Sequence, residues 1–412
     1  MRAMPERIPL TPRARKLADH SAHREAGFSL VELLVSLLVL VLVLAAAYTV
    51  FEFQSRLAQV QTQVAEMQQS QRIGQYQMMR EARMAGRGGL DWRSAVEVRN
   101  NVGLDGTPRE VAQGFGNSPV AVEGSDILTV RGVFTRPLYQ LNIQDPSTYI
   151  VDRDAGTGTI VINRITPSGI PQDLGPLNEI LNDDGGLQPE AIVVASAHED
   201  GIYAVVELTG GVPGDEQVTL NFAFEGGTHT QEYTALNPGG VFPEGMEATA
   251  GMIGVLEEYR YYIREVEEQG QRLVPRLSRA QMFPGTEVPY RNSLANAQVD
   301  ISDNVFDLQV ALGIDIDPLD PAVDSDGVVR EDDWLFSDPG HDPTQEPWSN
   351  PGNRLGYVRL NTLARTPQPH FGYEAPLLTS IEDRVYEEDH NDVEDRRHRR
   401  RHMQTIVELR NL

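Results

Sequence analysis

The residues best suited to chemistry are carboxylates, and they stand in two settings. The denser is the set Asp315, Asp317, Asp320, Asp324, Asp326, Glu331, Asp332 and Asp333, with Gly327 directly after Asp326. Hard oxygen donors at that density suit calcium. Against the loop pattern D-x-[DN]-x-[DN]-G-x5-E, Asp324, Asp326, Gly327 and Asp333 fill the third, fifth, sixth and twelfth places, while Ala322 stands in the first. Asp320 or Asp317 supplies the missing ligand only through a different backbone path. A calcium site at Asp320, Asp324, Asp326 and Asp333 is therefore weighed against a solvated acidic loop. The second setting is a lone carboxylate, Glu32, inside an otherwise apolar run. An unpaired charge there costs roughly 2.5–3.5 kcal/mol on insertion scales, so it needs a partner.

Catalytic constellations are missing where they would be legible. His198-Glu199 is followed by Ile202 where a zinc-binding H-E-x-x-H helix needs histidine, and neither G-x-S-x-G nor a phosphate-cradling G-x4-G-K-[ST] occurs. With no cysteine there is no disulfide, thiolate metal site or cysteine nucleophile. No enzymatic activity is expected. Arg396 to His402 is the one basic run, but Glu387, Glu388, Asp389, Asp392, Glu394 and Asp395 flank it and no aromatic side chain is interleaved. Local ion pairing is the expectation there, and nucleic acid is an unlikely partner for a chain of net charge −25.

The elements that must position these groups follow from pattern. A chain of 412 residues, 40% of them hydrophobic and 23% charged, suits two or three globular domains. Phe28 to Phe51 carries only Ser29, Glu32, Ser36 and Thr49 as strongly polar side chains. Twenty-four helical residues span roughly 36 Å, enough for a single bilayer crossing. Arg2, Arg7, Arg13, Arg15, Lys16 and Arg24 outnumber the acids ahead of it, which keeps that end cytoplasmic. The apolar run is too long for a signal-peptide core, so it reads as a permanent anchor. Beyond Phe51 the helix continues over residues 52–86, with Leu57, Val60, Val64 and Met67 on one face and a stop at Gly86-Arg87-Gly88-Gly89 after Ala85. From residue 90 to 412 short β-like runs alternate with Gly, Pro, Asn and Asp. Ten are legible, from Asp126–Arg131 to Met403–Leu409. The fold class is α+β, a long N-terminal helix before an antiparallel β-rich globular domain, with the proline-bearing stretch Asp315 to Pro351 a long loop dividing two subdomains.

Gly27-Phe28-Ser29-Leu30-Val31-Glu32-Leu33-Leu34 resembles the cleavage and methylation motif of type IV prepilins and type II secretion pseudopilins. The resemblance implies that a prepilin peptidase cuts after Gly27, removing leader 1–27, and methylates the new N-terminus at Phe28. It also implies the partner for Glu32, since the family pairs that glutamate with the terminal ammonium of an adjacent subunit. Met79-Arg80-Glu81-Ala82-Arg83-Met84-Ala85-Gly86 resembles the end of this helix in PilW-like minor pilins. Taken alone, Glu81 and Arg83 would be surface charges on a last turn. Asp303 to Asp315, Val358 to Arg365 and Arg396 to Asn411 are similar to PilW-like patches in the same order, while most of 90–300 is unmatched, as an insertion would be. The function implied is that of a minor pilin which primes or caps a type IV pilus. It is held in the inner membrane with its globular part in the periplasm and later sits at the pilus tip, with other minor pilins, the major pilin and a tip adhesin as partners. The alternatives are a GspJ-like pseudopilin and, from another class, a membrane-anchored calcium-binding adhesin that never polymerises.

Overall fold

Between Ser29 and the glycines at 86–89 the sequence holds no proline and one glycine, Gly74, so nothing interrupts helix over 53 residues, Leu30–Ala82. The computed structural model describes residues 29–104, 106–116, 118–183, 187–196, 202–268, 272–315, 329, 333–336, 353–386 and 390–410. It divides into two compact units, up to Gln59 and from Val60 on, taken in turn here.

In the first unit the helix is apolar and exposed on every side, Leu30 at 77% and Leu42 at 63%. That pattern belongs to a segment whose solvent is hydrocarbon. Thr49 folds its hydroxyl back onto the Ala46 carbonyl at 2.8 Å, which removes a polar group from that solvent. The Glu52–Arg56 ion pair lies one turn past the apolar run.

In the second unit the helix ends at Ala82, one turn short of the expected Ala85. The chain leaves through tight turns in which Gly86, Gly88 and Gly89 all have positive φ. At Gly88 a Cβ would meet Val193 at 2.8 Å and Val133 at 3.2 Å, so both conformation and space demand glycine. All ten expected strands are present, and every pairing between strands is antiparallel.

Three larger sheets organise them. The first orders Val96–Arg99, Ile127–Gly132, Glu257–Glu268, Arg272–Met282 and Gln298–Asp303. The second orders Trp334–Leu335, Val305–Asp315, Arg354–Arg365 and Arg400–Glu408. The third has seven strands: Tyr139–Gln140, Ala250–Val255, Ala191–Ser196, Tyr203–Val212, Gln217–Ala223, Thr157–Asn163 and Tyr149–Asp152. Gly132 and Glu257 are direct cross-strand partners in the first sheet, so everything from 133 to 256, the whole seven-stranded sheet included, is inserted between two adjacent strands. Its two ends leave and re-enter at one point, the geometry in which an insertion disturbs its host least.

Alternation decides where each sheet buries its side chains. Ala191, Val193, Tyr203 and Val205 face the main core, which they share with Met67, Met78 and Ala82 of the helix, Leu277 of the first sheet and Val358 and Leu360 of the second. Ile192, Val194, Ala204 and Val206 face the other way, into a second core closed by Leu177 and Ile180 of the short helix Gly175–Leu181.

Candidate functional site: the N-terminal processing and assembly motif

Ser29 and Glu32 close the first turn of the helix on each other. The Glu32 amide donates to Ser29 Oγ at 3.2 Å, and the Ser29 amide donates to Glu32 Oε2 at 3.1 Å. This is a capping box: two amides that would lack partners at a helix start are satisfied reciprocally. The carboxylate, exposed at the N-terminal end of the helix macrodipole, is held by one backbone N–H and, among the described residues, by no charged group. Gly27 and Phe28, the predicted processing residues, lie outside the described residues.

Past Val60 the buried face of the helix mixes apolar and polar side chains. Its buried residues are Met67, Gln71, Gly74, Gln75, Met78, Glu81 and Ala82, whereas Leu57 is 46% exposed. Of the predicted apolar face Met67 is buried and Val64 packs against the same core, and beyond them the seam continues through Met78 and Ala82 together with two amides and an acid. Gln71 Nε2 donates to the Thr362 carbonyl at 2.9 Å and the Arg401 carbonyl at 3.2 Å. Gln75 Nε2 donates to the Met403 carbonyl at 2.7 Å, and Thr405 Oγ1 donates to Gln75 Oε1 at 2.7 Å. Arg400–Glu408 is an edge strand, and the two glutamines occupy carbonyls along it.

Glu81 is buried, not the surface charge its position alone suggested. It accepts from the Tyr261 hydroxyl and pairs with Arg279. Burial first, and then the Glu81 charge, push the Tyr261 hydroxyl well above its ordinary range, so the phenol keeps its proton and donates it. The signal for this was its spacing, seven residues from Gly74 and three from Met78 on the buried face. The strand segment Val358 to Arg365 supplies Thr362 to the same seam.

The other predicted groups fall elsewhere. Of the calcium set, Asp320, Asp324 and Asp326 lie outside the described residues, and Asp333 is buried at 6% beside the Trp334–Leu335 strand. In the basic run, Arg396 pairs with Glu374 at 2.7 Å, Arg400 pairs with Asp395 at 2.5 Å, and the Arg397 guanidinium lies over Phe371.

A family model described as the prokaryotic N-terminal methylation motif matches residues 22–48. No curated protein and no solved structure shows significant similarity to the chain. The motif and the apolar helix that carries it support a protein of the pilin or pseudopilin type, processed by a prepilin peptidase, assembling with other pilins and anchored in the inner membrane.

Proposed function

We propose that this chain is a minor pilin similar to the PilW family, cut after Gly27 and methylated at Phe28, that primes or caps a type IV pilus from the periplasmic side of the inner membrane and comes to sit at its tip. Other minor pilins, the major pilin and a tip adhesin are the partners of that role. It works by assembly, without turnover of a substrate. The observation that carries the reading is the methylation motif at 22–48, on a helix whose apolar surface is interrupted by one acid in its first turn.

The charge argument supports polymerisation. From Phe28 to Ser55 the sequence contains no arginine, lysine or histidine. A second copy lying at the same depth therefore has one cation to offer Glu32, the amine that cleavage creates at Phe28. Pairing them replaces two costly charges with one compensated contact.

Lys16 is the only lysine, so a chain cut after Gly27 contains a single amine. An amine-reactive label followed by mass analysis should therefore place one label on the mature chain, at Phe28, and the unlabelled mass should show one added methyl. Glu32→Leu should leave processing intact and cut incorporation into filaments about tenfold or more, as expected for an unpaired intramembrane charge of this cost. Native material that retains residues 1–27, or filaments that form normally with Glu32→Leu, would overturn the reading.

A further inference from the structure

One side chain bridges the edge strand Tyr139–Gln140 to the far end of Thr157–Asn163, the next-to-last strand on the opposite side of the seven-stranded sheet. At one end Tyr139–Gln140 pairs with Met252 and Ile253 and, among the described residues, has no strand on its outer edge. At the other, Thr157–Asn163 continues past its neighbour Tyr149–Asp152 into a hairpin that returns through Ile170 and Pro171, with Ile165 bridged to Pro171. Gln172 at the end of that return spans the two. Its Oε1 accepts from the Gln140 amide at 2.6 Å, and its Nε2 donates to the Gln140 carbonyl at 3.1 Å and the Asn163 carbonyl at 3.0 Å. A side-chain amide here makes both hydrogen bonds that a peptide group of an adjacent strand would make to Gln140.

A groove of about 430 Å³ opens along this seam, lined by Leu138, Tyr139, Ile170, Pro171 and Met252. Ile170 is 61% and Met252 41% exposed, so apolar surface faces solvent there. Tyr139 is 1% exposed, and its hydroxyl has no hydrogen-bond partner among the described residues. A buried hydroxyl without a partner is costly unless something supplies one. Burial, and then the charge of Asp173 on the groove rim, push that hydroxyl up to about 12, so it stays protonated and available as a donor. A second cleft of about 700 Å³ shares Pro171, Gln172 and Asp173 with the groove and adds Asp215 and Glu216, with Arg164 the one cation, itself paired to Glu216 at 3.1 Å.

We infer that this seam is a strand-addition site for an extended peptide segment of a partner protein, one in which apolar and basic side chains alternate. The peptide backbone replaces the Gln172 amide against Gln140, its apolar side chains enter the groove over Tyr139, and its basic side chains meet the acidic rim. Backbone pairing gives affinity and the alternate pockets give selectivity, as strand addition does generally. The site lies wholly within the inserted segment 133–256, so it does not depend on polymerisation.

The test uses the detergent-solubilised full chain and fluorescence anisotropy with labelled acetyl-Val-Lys-Val-Lys-Val-Lys-amide. Binding should be saturable. It should fall about tenfold or more for the acidic counterpart acetyl-Val-Glu-Val-Glu-Val-Glu-amide, for a peptide N-methylated on alternate amides, and for the chain carrying Ile170→Glu, an exposed position where folding is not at stake. Gln172→Ala, which removes the competing amide, should bind several-fold tighter. Gly27 and Glu32 variants should bind as the parent does, so a failure of the assembly reading leaves this result untouched. Three results would overturn the proposal: no binding at millimolar peptide, binding that ignores both N-methylation and Ile170→Glu and follows ionic strength alone, or saturable binding of free indole with none of the peptide.

Discussion

Three glutamates in this chain solve the same problem, a charge out of water, in three ways. Glu32 has only the Ser29 amide among the described residues, and in the proposed assembly its partner is the amine of another molecule. Glu81 is buried against Tyr261 and Arg279, which ties the last turn of the helix to the first sheet. Glu258, with no exposed surface, lies between Arg131 at 2.5 Å and Arg260 at 2.7 Å. Burial raises the Glu258 carboxyl, but the two guanidiniums outweigh it and hold it below the usual carboxylate range. A carboxyl lowered on folding adds stability that is present above its unfolded value and is lost as pH falls through its folded one. Glu258→Gln should therefore cost about 3–5 kcal/mol at pH 7, because it leaves two buried guanidiniums short of charge. The gap to the parent should narrow as pH drops below about 4. Melting temperatures of both chains from pH 7 down to pH 3 measure this. Equal melting temperatures at pH 7 would show the pairs contribute nothing.

At the scale of elements, the contact between helix and sheets depends on close approach more than on greasy surface. A Cβ on Gly74 would stand 2.8 Å from Leu277 Cδ2 and 3.0 Å from Ser302 Cβ, and one turn earlier Ser70 meets Ser302 at 2.9 Å. Gly74→Val should push the helix off the first sheet at a cost of about 1–3 kcal/mol or more, as overpacking does, despite the gain in helix propensity. Chemical denaturation of the two chains reads the difference, and an unchanged midpoint would mean the seam is slack. The acidic stretch belongs to this scale too. If its spacing does bind calcium, titrating the full chain into the millimolar range should release heat and raise the melting temperature, and Asp324→Asn with Asp326→Asn should abolish both. A flat titration removes the site.

For the whole molecule, the division of labour follows chain order. Residues 30–51 present apolar surface on all sides, the helix end and the three larger sheets share one core, and residues 133–256, inserted between Gly132 and Glu257, add a second core on the other face of their own sheet. The stretches read in the sequence as resembling PilW-like proteins lie outside that inserted segment. The patches at 303–315, 358–365 and 396–411 fall on three adjoining strands of the second sheet, a host framework that the insertion leaves intact.

Much of this was legible beforehand, because it rests on local signals. Short β-like runs broken by Gly, Pro, Asn and Asp found the strands, the absence of proline found the helix, and Gly27 to Leu34 with a lone acid found the motif. What escaped depends on contacts distant in sequence. The apolar face read from Leu57 to Met67 left out the polar part of the seam, because Gln71, Gln75 and Glu81 are polar and become interior only where Thr362, Met403 and Tyr261 arrive to satisfy them. The pairing of Gly132 with Glu257, and the meeting of Gln172 with Gln140, likewise join segments that no local pattern links. The sequence alone determined that the chain is anchored and carries an assembly motif, since hydrophobicity and a short motif are properties of consecutive residues. Tertiary structure decided which polar groups are buried and where the sheet edges lie, since both depend on partners that folding brings from far along the chain.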